Sequence, residues 1–214
     1  MHRFFIKTPW WAKRLFPSYI WRMPVTEKIV YLTFDDGPHP IITPWVVNEL
    51  AKYDAVATFF CIGANVVKHP DVYRLLLEAG HSVGNHTYQH LNGWKTDTGF
   101  YLNDVADAAK LISSNLFRPP YGKIKPAQAT GLSGAMGNAK LKLIMWDVLS
   151  ADFDISLLPR QCAMNVIKNV SPGSIIVFHD SEKAFKNLEG ALPAVLKHLR
   201  GEGYAFAKIT MEGP

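Results

Sequence analysis

Cysteine is scarce in this chain of 214 residues: Cys61 and Cys162 stand alone, in separate apolar segments. With no CxxC pair there is no basis for a cysteine zinc cluster, and two free buried thiols are the simplest reading. The chain also lacks a long uninterrupted apolar run. Its aromatic, basic N-terminus is broken by Lys7, Pro9, Lys13, Arg14 and Pro17, so it suits neither a cleavable signal peptide nor a spanning helix. Location is thereby left open between the cytoplasm and a peripheral attachment to the envelope, since tryptophans and basic residues suit a membrane interface. Runs of charge are missing as well. Lysines and arginines are scattered without an aromatic–basic stripe, which argues against nucleic acid as a partner. There are no internal repeats, low-complexity stretches or linkers, and the length fits one domain. A monomer is expected.

What is present suffices for a sizeable core: 48% of residues are hydrophobic and 12% aromatic. The formal charge of +5 and pI near 9.1 favour acidic surroundings such as anionic polymers or membrane surfaces. From residue 28 onward, short β-rich runs alternate with helical patterns. Strands are predicted at 29–34, 57–62, 81–84, 116–118, 141–146, 174–178 and 204–209. Helices are predicted at 43–53, 70–79, 100–113, 126–138, 158–169 and 192–200, the first capped by Thr43 with Pro44 at its first position. This alternation predicts an α/β fold with a parallel sheet, and an open sheet and a closed barrel fit it equally. Residues 1–27 are expected to pack across a domain spanning 28–214.

The polar residues Asp35, Asp36, His86, Arg118, Asp147 and His179 lie at or close to the ends of five predicted strands. That is the face on which α/β proteins build sites. Asp35 and Asp36 repel each other unless a metal meets one and a cation the other; the alternative is an acidic turn, since Asp36-Gly37-Pro38 is good turn chemistry. His86 and His90, four apart on an expected helical turn, face one way. With a carboxylate from another strand they make a three-ligand set that leaves positions for water and substrate. Arg118 follows an apolar run and needs a carboxylate partner, and Pro119-Pro120 stiffen a turn that presents the Tyr121 amide. His179 ends an apolar strand as a catalytic acid would, with Asp152, or Asp180 nearer in sequence, to raise its pKa. His2, His39, His69, His81 and His198 join no constellation, although His39 lies close to the rim.

In this order, Thr-Phe-Asp-Asp-Gly-Pro (33–38), His-Thr-Tyr-Gln-His (86–90), Arg-Pro-Pro-Tyr-Gly (118–122), the segment opening on Trp146 and running to Asp152, and Val177-Phe178-His179 resemble the five signatures of the polysaccharide deacetylase family, also described as the NodB homology domain or carbohydrate esterase family four. The resemblance spans about 28–209 and implies a distorted seven-stranded (β/α) barrel with parallel strands. It implies that Asp36, His86 and His90 hold one divalent metal, zinc with cobalt as the alternative. Asp35 matches the general base, Arg118 the arginine that orients it, and the Tyr121 N–H a donor to the oxyanion. His179 matches the general acid and Asp152 the carboxylate that tunes it.

Trp146, Phe153 and Val177 are implied to line the substrate pocket. Phe153 replaces a common Trp and Val177 a common Leu, so the pocket should stay apolar with an altered shape. The implied activity is metal-dependent removal of N-acetyl groups from a peptidoglycan- or chitin-like glycan containing N-acetylglucosamine, with release of acetate. An acetylated carbohydrate is therefore the expected partner. O-acetyl ester hydrolysis, hydrolysis of a small non-sugar amide, and carbohydrate binding without catalysis are the alternatives.

Overall fold

The computed structural model describes residues 5–210, and His2 lies outside them. Strand β1 (Ile29–Asp35) is buried beyond its first residue, as a strand covered on both faces must be. It pairs in parallel with β2 (Thr58–Cys61) on one side and β7 (Ile175–His179) on the other. Beyond β2 follow β3 (Ser82–Asn85), β4 (Leu116–Phe117) and β5 (Lys142–Leu143), and β6 (Val148–Leu149) lies beyond β7. All these pairings are parallel. The short β8 (Ala205–Phe206) joins only the start of β1. The sheet curls into the expected distorted barrel, with seven strands along its main path. Membership differs in two places: the predicted strand 141–146 stops at Leu143 while Val148–Leu149 pairs with β7, and the predicted strand 204–209 shrinks to β8, off the main path. A two-residue strand is too short for its alternation to show.

Helices α2 (Ile42–Ala51), α3 (Gly63–Lys68), α4 (Pro70–Glu78), α5 (Thr98–Ala109), α6 (Pro126–Ala135), α7 (Pro159–Ile167) and α8 (Glu182–Gly201) connect the strands. Those at α6 and α7 open on proline. Gln128 and Gln161 then accept the N–H groups of Lys125 and Leu158, at 2.9 and 2.8 Å. The expected cap of α2 is not the one used. The helix opens at Ile42, and His39 Nδ1 accepts from the Ile41 and Ile42 N–H groups, while the Thr43 hydroxyl donates to Asp180. Helix α8 begins at Glu182 rather than 192, because Ala184, Leu188, Ala191 and Val195 make one buried stripe through Gly190 and Pro193. Gly190 permits the close approach of α7: a Cβ there would lie 2.7 Å from Pro159 Cβ.

Alternation along β1 divides the core. Val30, Leu32 and Phe34 face an outer cluster with Leu50, Leu188 and Leu196, and Phe34 stacks on Phe59 and Phe178. Tyr31 faces an inner cluster with Phe60, Leu116, Ile144, Ile175 and Ile209. Thr33 and Asp35 share the face of Tyr31, so the polar end of β1 rises from an apolar floor. Both cysteines are buried and free.

Strands β5 and β6 leave a seam, and the N-terminal segment fills it. Ile20 N–H donates to Leu143 O and Met145 N–H to Ile20 O, at 2.9 and 2.8 Å. Leu149 N–H donates to Ile6 O and Thr8 N–H to Asp147 O, at 2.8 and 2.9 Å. Both sheet edges are thereby covered. A short helix, α1 (Trp10–Leu15), lies between these two pairings. Asp147 corrects the sequence reading. It precedes β6, and its N–H donates to Ile175 O at the start of β7, at 2.9 Å, so it lies at the end of the sheet opposite the expected rim. There it accepts from Lys7, Lys13 and the Ser174 hydroxyl.

Candidate active site

At the carboxyl end of β1 the two aspartates part company. Asp35 is buried and its Oδ1 accepts from Arg118 Nη1 at 2.7 Å. Asp36 takes a left-handed backbone, φ 82°, and its carbonyl accepts from Asn65 Nδ2 at 2.8 Å. The following turn is held by Asp180, which accepts from Gly37 N–H at 3.1 Å. Only glycine fits there, since a Cβ on Gly37 would fall 2.1 Å from Asp180 Oδ2. Asp180 therefore serves the Asp36 turn rather than His179. Burial, with the charge of Asp36 nearby, pushes its carboxyl up to about 7, against the pull of the Thr43 hydroxyl.

The histidines reach Asp36 without the expected helical turn. After β3 the chain forms an irregular loop with left-handed residues at Thr87 (φ 65°) and His90 (φ 58°). A β-branched residue in that region is strained, and four hydrogen bonds hold the loop in place. Asn85 Oδ1 accepts from Thr87 N–H, Asp104 Oδ2 from the Tyr88 and Gln89 N–H groups, and Thr87 Oγ1 from Leu91 N–H. The loop sets His90 Nε2 at 3.2 Å and His86 Nε2 at 3.8 Å from Asp36 Oδ1. His86 Nδ1 faces the Arg118 carbonyl at 2.7 Å. A carbonyl only accepts, so the proton sits on Nδ1 and the Nε2 lone pair is left facing Asp36. Burial depresses the His86 pKa to about 4 against the nearby aspartates, which keeps this ring neutral near pH 7.

This trio fits a divalent cation on its own terms. The three ligand atoms lie within 4.8 Å of one another, and Asp36 Oδ1 is buried without a hydrogen-bond partner. Burial alone would raise the Asp36 pKa, but His90, His179 and His86 outweigh it and hold the carboxylate ionised. One carboxylate oxygen and two imidazole nitrogens are the donor set of a zinc-type site with open positions.

Arg118 is fully buried. It donates to Asp35, to Thr33 Oγ1 at 2.8 Å, and to the Ile144 and Met145 carbonyls at 3.3 and 3.0 Å. Its guanidinium also lies over the Phe60 ring, at 4.1 Å. A buried cation with one carboxylate and three further acceptors is a fixed support. Tyr121, in the turn after Pro119-Pro120, has φ 61°, is exposed, and lies 4.7 Å from the His90 ring. On β7, His179 is the register partner of Asp35. Its Nδ1 faces Asp152 Oδ1 at 2.8 Å, and its N–H donates to Asp152 Oδ2 at 2.8 Å. Burial would lower its pKa, but the Asp152 charge and hydrogen bond, with Asp36 and Asp35 beyond, push it up to about 9.

The expected pocket residues divide. Phe153 meets the His179 ring edge-on at 5.1 Å, and Trp146 lies beside Arg118 and Gly122. Val177 is only 1% exposed. It shares a face of β7 with His179 one step deeper, so it supports the rim rather than opening onto it. His81 is a buried core residue whose Nδ1 accepts from Ala57 N–H, His69 precedes α4, and His198 is exposed on α8. Sequence reasoning missed Asn65, Asn85 and Asp104. For Asp104 a signal existed: it falls with Tyr101, Val105 and Ala108 on the buried stripe of α5, where a carboxylate has no place without a partner.

A family model described as polysaccharide deacetylase matches residues 22–134. The chain is 33% identical over 196 residues to a peptidoglycan-N-acetylglucosamine deacetylase of Bacillus cereus, covering 89% of this chain and 90% of that protein. It is 30% identical over 206 residues to a chitooligosaccharide deacetylase of Azorhizobium caulinodans, covering 88% of this chain and 96% of that one. Among solved structures, the Bc1960 peptidoglycan N-acetylglucosamine deacetylase, crystallised with 4-naphthalen-1-yl-N-oxidanyl-benzamide, superposes with TM-score 0.83 at 27% identity, covering 94% of this chain and 95% of that one.

Proposed function

The chain belongs to the polysaccharide deacetylase family, and from that premise we propose that it is a metal-dependent hydrolase removing N-acetyl groups from a glycan containing N-acetylglucosamine. The relatives support this substrate class, since one acts on peptidoglycan N-acetylglucosamine and another on chitooligosaccharide, itself a chain of that sugar. The observation that carries the reading is the convergence, on one rim, of Asp36 with its unpartnered buried oxygen, His86 and His90, beside the Asp35–Arg118 and Asp152–His179 pairs.

Asp36, His86 and His90 would hold one divalent ion, zinc or alternatively cobalt. When bound, such an ion supplies Lewis acidity, making the acetyl carbonyl more electrophilic and water more acidic. The remaining work falls to the chain's own groups. Asp35, fixed by Arg118, takes a proton from the attacking water as its oxygen bonds to the acetyl carbon. The Tyr121 N–H donates to the oxyanion that develops on the carbonyl oxygen. The carbon–nitrogen bond then breaks, and His179, protonated through Asp152, delivers its proton to the nitrogen. An amide anion cannot leave unaided, so this last step sets the need for an acid with a raised pKa. The products are acetate and a free sugar amine.

The test is acetate release from N-acetylated and O-acetylated saccharides, after chelation and again after zinc is restored. Release only with metal, and faster from N-acetyl substrates, is expected. Faster release from O-acetyl substrates would make the protein an esterase. No release from either class by protein holding one metal per chain would overturn the reading.

A further inference from the structure

Between its two pairings the seam segment presents a surface that the site does not use. Helix α1 buries none of its residues. Phe5, Trp10 and Leu15 are 62%, 75% and 65% exposed, with Trp11 and Phe16 exposed beside them. Phe5 packs edge-on against Trp11 at 6.1 Å, and Phe16 stacks on Tyr19 at 5.2 Å. So concentrated an exposed aromatic cluster marks an interaction surface. Its charge has one sign. Residues 1–26 contain Arg3, Lys7, Lys13, Arg14 and Arg22 and no acidic residue. Lys7 and Lys13 are tied to Asp147, which among the described residues leaves Arg14 and Arg22 exposed, Arg22 donating only to the Pro172 carbonyl and keeping its charge uncompensated.

We propose that residues 5–22 form a preformed docking face for an anionic lipid bilayer. Tryptophan and phenylalanine seat at headgroup depth, and arginines beside them meet anionic lipid. A second copy of the same face fits poorly, because Arg14 and Arg22 would meet only further positive charge. Docking here is peripheral, since no helix among the described residues is long and apolar enough to cross a membrane. It also leaves the rim open. Lys13 is anchored to Asp147 beside the start of β7, whereas His179 ends that strand, about 13 Å further along at the usual strand rise. The proposal does not depend on the deacetylase reading.

The experiment is flotation of the full chain with vesicles of phosphatidylcholine alone or mixed with phosphatidylglycerol. Binding to the mixed vesicles that weakens with salt is expected. Trp10→Ala/Trp11→Ala should lower that affinity about tenfold or more, because each indole buries a large apolar area. Arg14→Glu, at an exposed position, should weaken it as well without changing the melting temperature, so the reading survives if the tryptophan variant folds badly. Absence of binding to anionic vesicles would overturn the proposal, as would full binding by a folded Arg14→Glu variant. A concentration-dependent dimer in ultracentrifugation, abolished by the same substitutions, would assign the face to a second copy instead.

Discussion

Asp147 and Asp36 stand at opposite ends of the same sheet, each surrounded by basic side chains, and they are used differently. Both oxygens of Asp147 are engaged, one by Lys13 and the other by Lys7 and Ser174, each of the latter at 2.6 Å. Asp36 Oδ1 has two imidazole nitrogens at 3.2 and 3.8 Å, and neither meets it in good hydrogen-bond geometry. Both carboxyls are held below their ordinary pKa despite burial, Asp147 by the lysines and Ser174, Asp36 by the histidines. A saturated carboxylate ties one segment to another, whereas one left unsatisfied among imidazole nitrogens has the chemistry to meet a cation. Left-handed residues largely follow the same division: of six that are not glycine among the described residues, Asp36, Thr87, His90, Tyr121 and Ala151 belong to the rim and only Asp54, after α2, does not, and at the rim strain is accepted to aim groups.

The largest effect should come from His86→Ala. Turnover is expected to fall to background and zinc content, by metal analysis, to fall with it. A variant keeping both would break the contrast with Asp147. Asp35→Asn should keep its zinc and lose about 10²–10⁴ in kcat, and full activity there would remove Asp35 as the base.

Asp152→Asn acts through pH. His179 is raised to about 9, so its protonated, proton-donating form persists up to that pH and is lost above it. Without Asp152 the alkaline limb of the kcat profile should move toward the ordinary histidine value of about 6.5. An unmoved limb would separate the acid from this pair.

Asp147→Asn should leave zinc content and kcat of the folded protein unchanged and lower stability by about 2–3 kcal/mol. That is less than the ~3–5 kcal/mol of a wholly buried pair, because both lysines reach water. With the Asp147 pKa depressed, its stabilisation is present above the unfolded carboxyl value of about 3.9 and is lost as pH falls through the folded one. Urea titrations at neutral and acidic pH check this. The smallest effect belongs to Phe153→Trp: a shift of about tenfold or less in relative kcat/KM between N-acetylated oligosaccharides, since one apolar contact discriminates weakly.

The parallel strands and most helices were legible because buried β runs and amphipathic helices carry their period in the chain. Asp35, Asp36, Arg118 and His179 were legible as candidates because polar residues at the ends of apolar runs have no packing reason to be there, and His86 and His90 by their spacing of four. Asp147 carried the same signal and was misplaced. Position beside a short strand does not say which end of that strand it occupies, and the Trp146–Asp147 step passes from the end of one strand to the start of the next. The helical reading of His86 to His90 failed for a related reason: spacing of four satisfies a helix, but Asn85 and Asp104 hold a loop there instead.

The chain by itself determined the alternation of strands and helices, the residue types available at the rim, and a basic, aromatic N-terminus without acidic residues. Those properties are local, written in composition and period. The residues around His179 left Asp152 and Asp180 both open as its partner, and only the family resemblance favoured Asp152, which the structure pairs with it; tertiary structure alone decided that Asp180 holds the Asp36 turn and that residues 6–20 seal the seam between β5 and β6. Each of these choices depends on long-range geometry, on which of several chemically equivalent partners a curled sheet brings within hydrogen-bond reach.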